Sequence, residues 1–174
     1  KLPVQREIAK KYGDLNLTKI GELLKSKIHE HRLIALIILV NKYKKSSEKG
    51  KEEIFHFYLN NTKFINNWDL VDLSSHSIVG NFLLNKDKKI LYTLSNSENL
   101  WERRIAVIST FSFIKNNDFA DSLALVEILL NDKHDLIFKA VGWMLREIGK
   151  KDENVLENFL KFHYKKMPRT MLRY

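Results

Sequence analysis

Between Pro3 and Pro168 the chain contains no proline at all. A proline inside a helix removes a hydrogen bond and costs about 3 kcal/mol. Its absence from the body of the chain therefore leaves long helices uninterrupted. The six glycines are scattered, and no two combine into a glycine-rich loop. That excludes a P-loop and a dinucleotide-binding fingerprint, both of which need glycines where backbone amides approach phosphates.

The apolar residues recur at helical spacing along almost the whole sequence. Leu33, Leu36, Ile37 and Val40 share one face, and Ile54, Phe55, Tyr58 and Leu59 another. Ile105, Ile108, Phe111 and Ser112 follow the same rule, then Leu123, Val126, Ile128, Leu129 and Leu130. Ile137, Val141, Met144, Leu145 and Ile148 form a further face. Polar turns such as Asn66-Asn67, Ser95 to Asn99 and Asn116-Asn117-Asp118 separate the segments. Asn and Ser there can accept hydrogen bonds from the free amides of the next helix. Asn67 is the expected cap of the helix carrying Trp68, and Ser97 or Asn99 that of the helix carrying Trp101. The pattern predicts about ten helices in an all-α chain. Helix pairs recur at roughly 35 to 45 residues, the period of HEAT-type repeats, which stack into a solenoid with a concave face. An irregular helical bundle is the competing architecture.

A chain of 174 residues with 44% hydrophobic residues can bury one core, so a single domain over residues 1–174 is expected. It begins at Lys1 with no methionine, and N-terminal residues are expected to be missing. There are no cysteines, which excludes disulfides, thiolate nucleophiles and cysteine-ligated zinc. The longest apolar run, Leu33 to Val40, is far shorter than the roughly 18 to 20 residues that span a bilayer. No signal peptide is visible, and a cytoplasmic protein with no membrane association is expected. A net charge of +9 suggests a polyanionic partner, although a lysine-rich solvated surface gives the same number.

Three segments carry candidate chemistry. Trp68 and Asp72 are four apart and so share a helix face. An aromatic ring beside a carboxylate suits a cationic, electron-poor substrate. Alone, the pair is more often a core tryptophan near a capping aspartate. Arg104 follows Trp101 by three residues, and arginine is well shaped for bidentate phosphate contacts; a surface ion pair is its ordinary alternative. Gly142 lies inside a helical pattern at a cost of about 1 kcal/mol relative to alanine. It therefore implies close approach of another helix or a ligand, and the adjacent Trp143 is either core or a second aromatic wall. The segment from Lys161 to Tyr174 holds Lys165, Lys166 and Arg169 and no acid, as a DNA-backbone clamp or a solvated tail would. His29 and His31 are two apart and point to different sides of a helix, so no metal site is expected.

Together the motifs resemble the DNA alkylation repair family, the AlkD-like alkylpurine DNA glycosylases. Pro3 to Ala9 is similar to a P-x-x-R-x-I-A opening, and Ile28 to Leu36 contains H-E-x-R-x-x-A-L. Trp68 to Asp72, Trp101 to Ala106 and Gly142 to Glu147 follow in the same order. The resemblance implies a HEAT-like solenoid whose concave, basic face holds double-stranded DNA. It implies excision of cationic N3- or N7-alkylated purines by hydrolysis of the N-glycosidic bond, with no cofactor, by a monomer. It assigns Asp72 as the catalytic carboxylate, Trp68 and Trp143 as its aromatic flanks, and Arg104 as a contact to the DNA backbone. Asp69, one residue after Trp68, points about 100° away on a helix and is set aside. The alternatives are a non-catalytic HEAT-like module that binds nucleic acid, or a protein-binding helical scaffold.

Overall fold

The computed structural model describes Leu2 to Tyr174 and contains helices and turns, with no strand among the described residues. The helices are α1 (Leu2–Lys11), α2 (Leu17–Leu24), α3 (His29–Lys45), α4 (Glu48–Asn60), α5 (Trp68–Ser75) and α6 (Lys89–Ser95). They continue with α7 (Leu100–Ser109), α8 (Phe111–Lys115), α9 (Ala120–Leu129), α10 (Asp135–Lys151), α11 (Glu153–His163) and α12 (Arg169–Arg173). Short 3₁₀ turns occupy Thr62–Phe64 and Tyr164–Lys166, and a π-helical turn, His76–Gly80, extends α5. No described helix is long and apolar enough to cross a membrane.

The stacking order matters for the site. Helix α3 packs on α5, α5 on α7, and α7 on α10, which makes one row. The intervening helices cover it: α1 and α2 lie on α3, α6 on α7, and α9, α11 and α12 on α10. Layers added in sequence order are what helical repeats produce. The expected apolar faces are buried, with Leu36, Tyr58, Ile105, Ile108, Ile137, Val141, Met144 and Ile148 fully enclosed. Helix α3 departs from the one-sided reading. Its whole run from Ala35 to Val40 is buried, because it is covered by α1 and α2 on one side and by α4 and α5 on the other. Periodicity cannot report a helix that is apolar all round.

The caps match the polar turns. Asn67 Oδ1 accepts from the Trp68 amide at 2.7 Å, starting α5. Asn99 Oδ1 accepts from the Trp101 amide at 2.9 Å, starting α7, while Ser97 Oγ, two residues further out, accepts from the Asn99 amide at 3.1 Å. Two glycines permit the close stacking. A Cβ on Gly80 would overlap the Ser109 carbonyl of α7, and one on Gly142 would overlap the Met171 carbonyl and Tyr174. The helix-interior glycine is thus explained by the approach of α12, not by a ligand. The sequence predicts about ten helices, whereas the described residues form twelve, and the face read from Ile105 to Ser112 is divided between α7 and α8. Helices α8 and α12 span only five residues each, too short for an apolar period to register.

Candidate active site

The row α5–α7–α10 brings together residues far apart in sequence. Trp68 and Asp72 from α5, Arg104 from α7, and Lys139, Trp143 and Arg146 from α10 line a cleft of about 330 Å³. All four of the residues singled out for the cleft, Trp68, Asp72, Arg104 and Trp143, therefore share one surface. Trp68 sits at the first turn of α5 and is 53% exposed, an unusual position for the largest apolar side chain. The helix places Asp72 one turn below it. Trp143 stands on the opposite wall, tilted against Phe111 at 5.7 Å between ring centroids. Its indole Nε1 donates to Glu147 Oε1 at 3.1 Å, which fixes the plane of the ring.

Asp72 is held by a two-pronged ion pair. Arg104 Nε donates to Oδ1 at 2.9 Å and Nη2 to Oδ2 at 2.8 Å. Arg104 Nη1 donates to the Leu136 carbonyl at the start of α10. The arginine side chain is only 6% exposed, whereas Asp72 keeps 20% of its surface open to the cleft. Burial pushes the Asp72 carboxyl above its ordinary value; Arg104 pulls it down by hydrogen bonds and charge, and Asp69 adds to the rise. The guanidinium stays charged, and its two N–H groups on the two oxygens favour the carboxylate form of Asp72. The result is an oriented anion, partly desolvated, between two tryptophans.

The neighbouring carboxylate has a different task. Asp69 Oδ2 bonds His29 Nε2 at 2.7 Å and Oδ1 accepts from the Leu70 amide. Asp69 thus ties α5 to the start of α3 and faces away from the cleft residues. The other motif residues are also ties between layers. Glu102 accepts from Thr62 Oγ1 at 2.7 Å and from Ser97 Oγ at 2.6 Å, and Arg103 Nε pairs with Asp132 at 2.6 Å. Arg32 donates to the Ser26 carbonyl at 2.8 Å.

Sequence reasoning gave Arg104 a phosphate; the geometry gives it Asp72 and the Leu136 carbonyl first, through three of its five N–H groups. Lys165, Lys166 and Arg169 are exposed on the last 3₁₀ turn and the start of α12 and do not line the cleft. Lys139 and Arg146 do, and were missed. They lie four residues before and three after Trp143, so the helical spacing around that residue carried the signal. Lys139 pairs with Asp135 at 2.6 Å, while Arg146 is exposed and makes no ion pair among the described residues. Tyr174, also on the lining, had no signal in the sequence. No group of three His, Cys, Asp or Glu suited to a metal ion occurs among the described residues.

Fold and cleft together define a stacked-helix protein with an arginine-held carboxylate between aromatic walls. The family model for DNA alkylation repair enzymes matches residues 1–174, and the chain belongs to that family. A solved structure described as a predicted DNA alkylation repair enzyme from Enterococcus faecalis shares the fold, with a TM-score of 0.73 over 98% of this chain and 80% of that one. The two are 16% identical, so the likeness speaks for the fold alone. No curated protein sequence matches.

Proposed function

We propose that the protein is a DNA glycosylase that removes cationic N3- or N7-alkylated purines from duplex DNA. The observation that carries this reading is the Asp72 carboxylate, aimed by Arg104 into a cleft walled by Trp68 and Trp143. Family membership supports DNA as the substrate. The stacked helices would form a HEAT-like solenoid with the cleft on its concave, basic face, consistent with the net charge of +9. The protein would act as a monomer in the bacterial cytosol.

The chemistry needs little more than this site. An alkylated purine carries a positive charge, so it leaves with the electrons of the C1′–N bond as a neutral base. Strong acid catalysis of its departure is unnecessary. The difficulty is the positive charge that develops on the deoxyribose. Asp72 stabilises that charge and accepts a hydrogen bond from the water that attacks C1′. As the new C1′–O bond forms, the attacking water passes one proton to the Asp72 carboxylate, which returns it to solvent, and an abasic sugar is left. The tryptophan faces attract cationic groups by about 0.5 to 2 kcal/mol, depending on how far they are desolvated. Arg146 and Lys139 at the rim, and Lys165, Lys166 and Arg169 farther out, would meet phosphates. The two uncommitted N–H groups of Arg104 could join them.

The test compares wild type with Asp72→Asn on methylated duplex DNA. Release of methylated purine by wild type and a loss of at least a hundredfold in Asp72→Asn are expected, as for other preorganised charge contacts. Equal release by both would refute the role of Asp72. Binding without release in wild type would favour the non-catalytic nucleic-acid-binding module.

A further inference from the structure

A second recess lies beyond Trp143. It has a volume of about 460 Å³ and is lined mainly by polar residues of α3, α4, the π-helical turn and α8. His76 is at its base, with Lys44, Lys51 and Lys115 around it and Asn81 and Tyr43 beside them. Lys44 and Lys115 are exposed and make no ion pair among the described residues. Lys51 pairs with Glu48 at 2.8 Å, and no Asp or Glu is among the residues lining the recess. Tyr43 donates to Asn81 Oδ1 at 3.1 Å, which leaves the Asn81 amide free to donate. The recess thus offers three ammonium groups and an amide donor against one carboxylate.

Two aromatic contacts join this recess to the cleft. Trp143 meets Phe111 at 5.7 Å, and Phe111 meets His76 edge-on at 5.4 Å. Lys115 Nζ stands 4.2 Å from the Phe111 ring centroid. Successive phosphates of one DNA strand advance about 3.4 Å along the axis. The Trp143 and His76 rings are therefore at most about 11 Å apart, within the span of a few nucleotides of one strand.

We infer that the recess of Lys44, Lys51, Lys115 and Asn81 seats a phosphate group of the DNA strand whose damaged nucleotide occupies the Trp68–Trp143 cleft. The inference rests on the proposed DNA-binding function but not on catalysis. His76 supplies a built-in reporter. Its pKa is pushed down to about 4, first by burial and then by the charges of Lys115 and Lys44. Of the other charged groups on the packed elements, Glu30, Lys42, Lys45, Lys49, Glu52 and Glu53 do not line the recess. Glu48 holds Lys51, Asp72 holds Arg104, and on α7 Glu102 and Arg103 bond Thr62 and Asp132. An anion between Lys44 and Lys115 would cancel the repulsion and let His76 accept a proton more readily.

The experiment uses the whole chain and a short unmodified duplex. Affinity is measured against salt for wild type, for Lys44→Ala/Lys115→Ala, and for Lys25→Ala/Lys133→Ala, an equally charged change at exposed lysines outside the recess. The first pair should lower affinity on the order of tenfold and reduce the slope of log affinity against log salt by about one, the share of one phosphate. The second should change the slope by less than half of that. His76 ring signals should report a pKa higher by about one unit or more with duplex bound. Equal losses in both pairs would mean diffuse charge and overturn the inference. An unchanged slope in Lys44→Ala/Lys115→Ala would also overturn it, while leaving the proposed function standing. A His76 response to millimolar inorganic phosphate but not to duplex would make this a free-phosphate pocket and overturn the DNA assignment. Failure of wild type to bind duplex would sink both readings.

Discussion

Removing Arg104 should destabilise the fold by an amount the geometry sets. Arg104→Met keeps most of the side-chain volume and deletes the guanidinium. It leaves the Asp72 carboxylate mostly buried without its two donors, and the Leu136 carbonyl without Nη1. Breaking a buried pair from one side costs about 3 to 5 kcal/mol. Asp72 retains 20% exposure and can escape by protonation, so the lower end, about 3 kcal/mol, applies. For a chain of this length that is a fall in Tm of roughly 6 to 12 °C. Asp72→Leu, which strands the guanidinium instead, should cost a similar amount. The double variant should cost less than the sum, with a coupling of about 2 kcal/mol. Urea unfolding of all four proteins at pH 7 measures it. The acid limb adds a second check. Without Arg104 the folded-state pKa of Asp72 rises further above the unfolded value, so ionising it destabilises the fold increasingly as pH rises. The gap between wild type and Arg104→Met should therefore be widest near neutral pH and narrow toward pH 4. A coupling below about 0.5 kcal/mol would mean that Arg104 and Asp72 do not act as a unit.

Other outcomes follow from the same contacts. Gly142→Ala should destabilise by about 1 to 3 kcal/mol in thermal unfolding, because the added Cβ meets the backbone of α12. His76 has a folded pKa of about 4 against 6.5, so the unfolded chain binds its proton first. Stability should be full above pH 6.5 and fall by about 3 kcal/mol as pH drops to 4, and His76→Gln should flatten that limb in urea titrations. Glu147→Ala frees the Trp143 indole and should lower base excision several-fold while Glu147→Gln, which still accepts the hydrogen bond, restores it.

Much of the fold was legible because helices that bury one face write a 3.6-residue period. The face of α10 and the cap at Asn67 read directly, the second cap was open between Ser97 and Asn99, and the face from Ile105 ran on past the end of α7 into α8. The short α8 and α12 were not legible, since five residues hold little more than one turn. The cleft was legible only in part. Trp68 and Asp72 declare themselves by four-residue spacing, but nothing local says that Arg104, from another layer, closes on Asp72. That pairing depends on the stacking of α5 against α7, which Gly80 permits by letting the π-helical turn approach Ser109. His29 was dismissed as a ligand, and no periodicity could reveal its bond to Asp69 across 40 residues of sequence. Arg146 stood beside Trp143 at a helical interval and was available to be read.

The proposed function stands on base release at the Asp72 cleft. Its most direct test incubates the wild-type protein with a duplex carrying a single N7-methylguanine and identifies the released material by chromatography. Free 7-methylguanine and an abasic strand are expected, formed in proportion to protein and faster than spontaneous depurination. A duplex that is bound but releases base only at the spontaneous rate would contradict the proposed function.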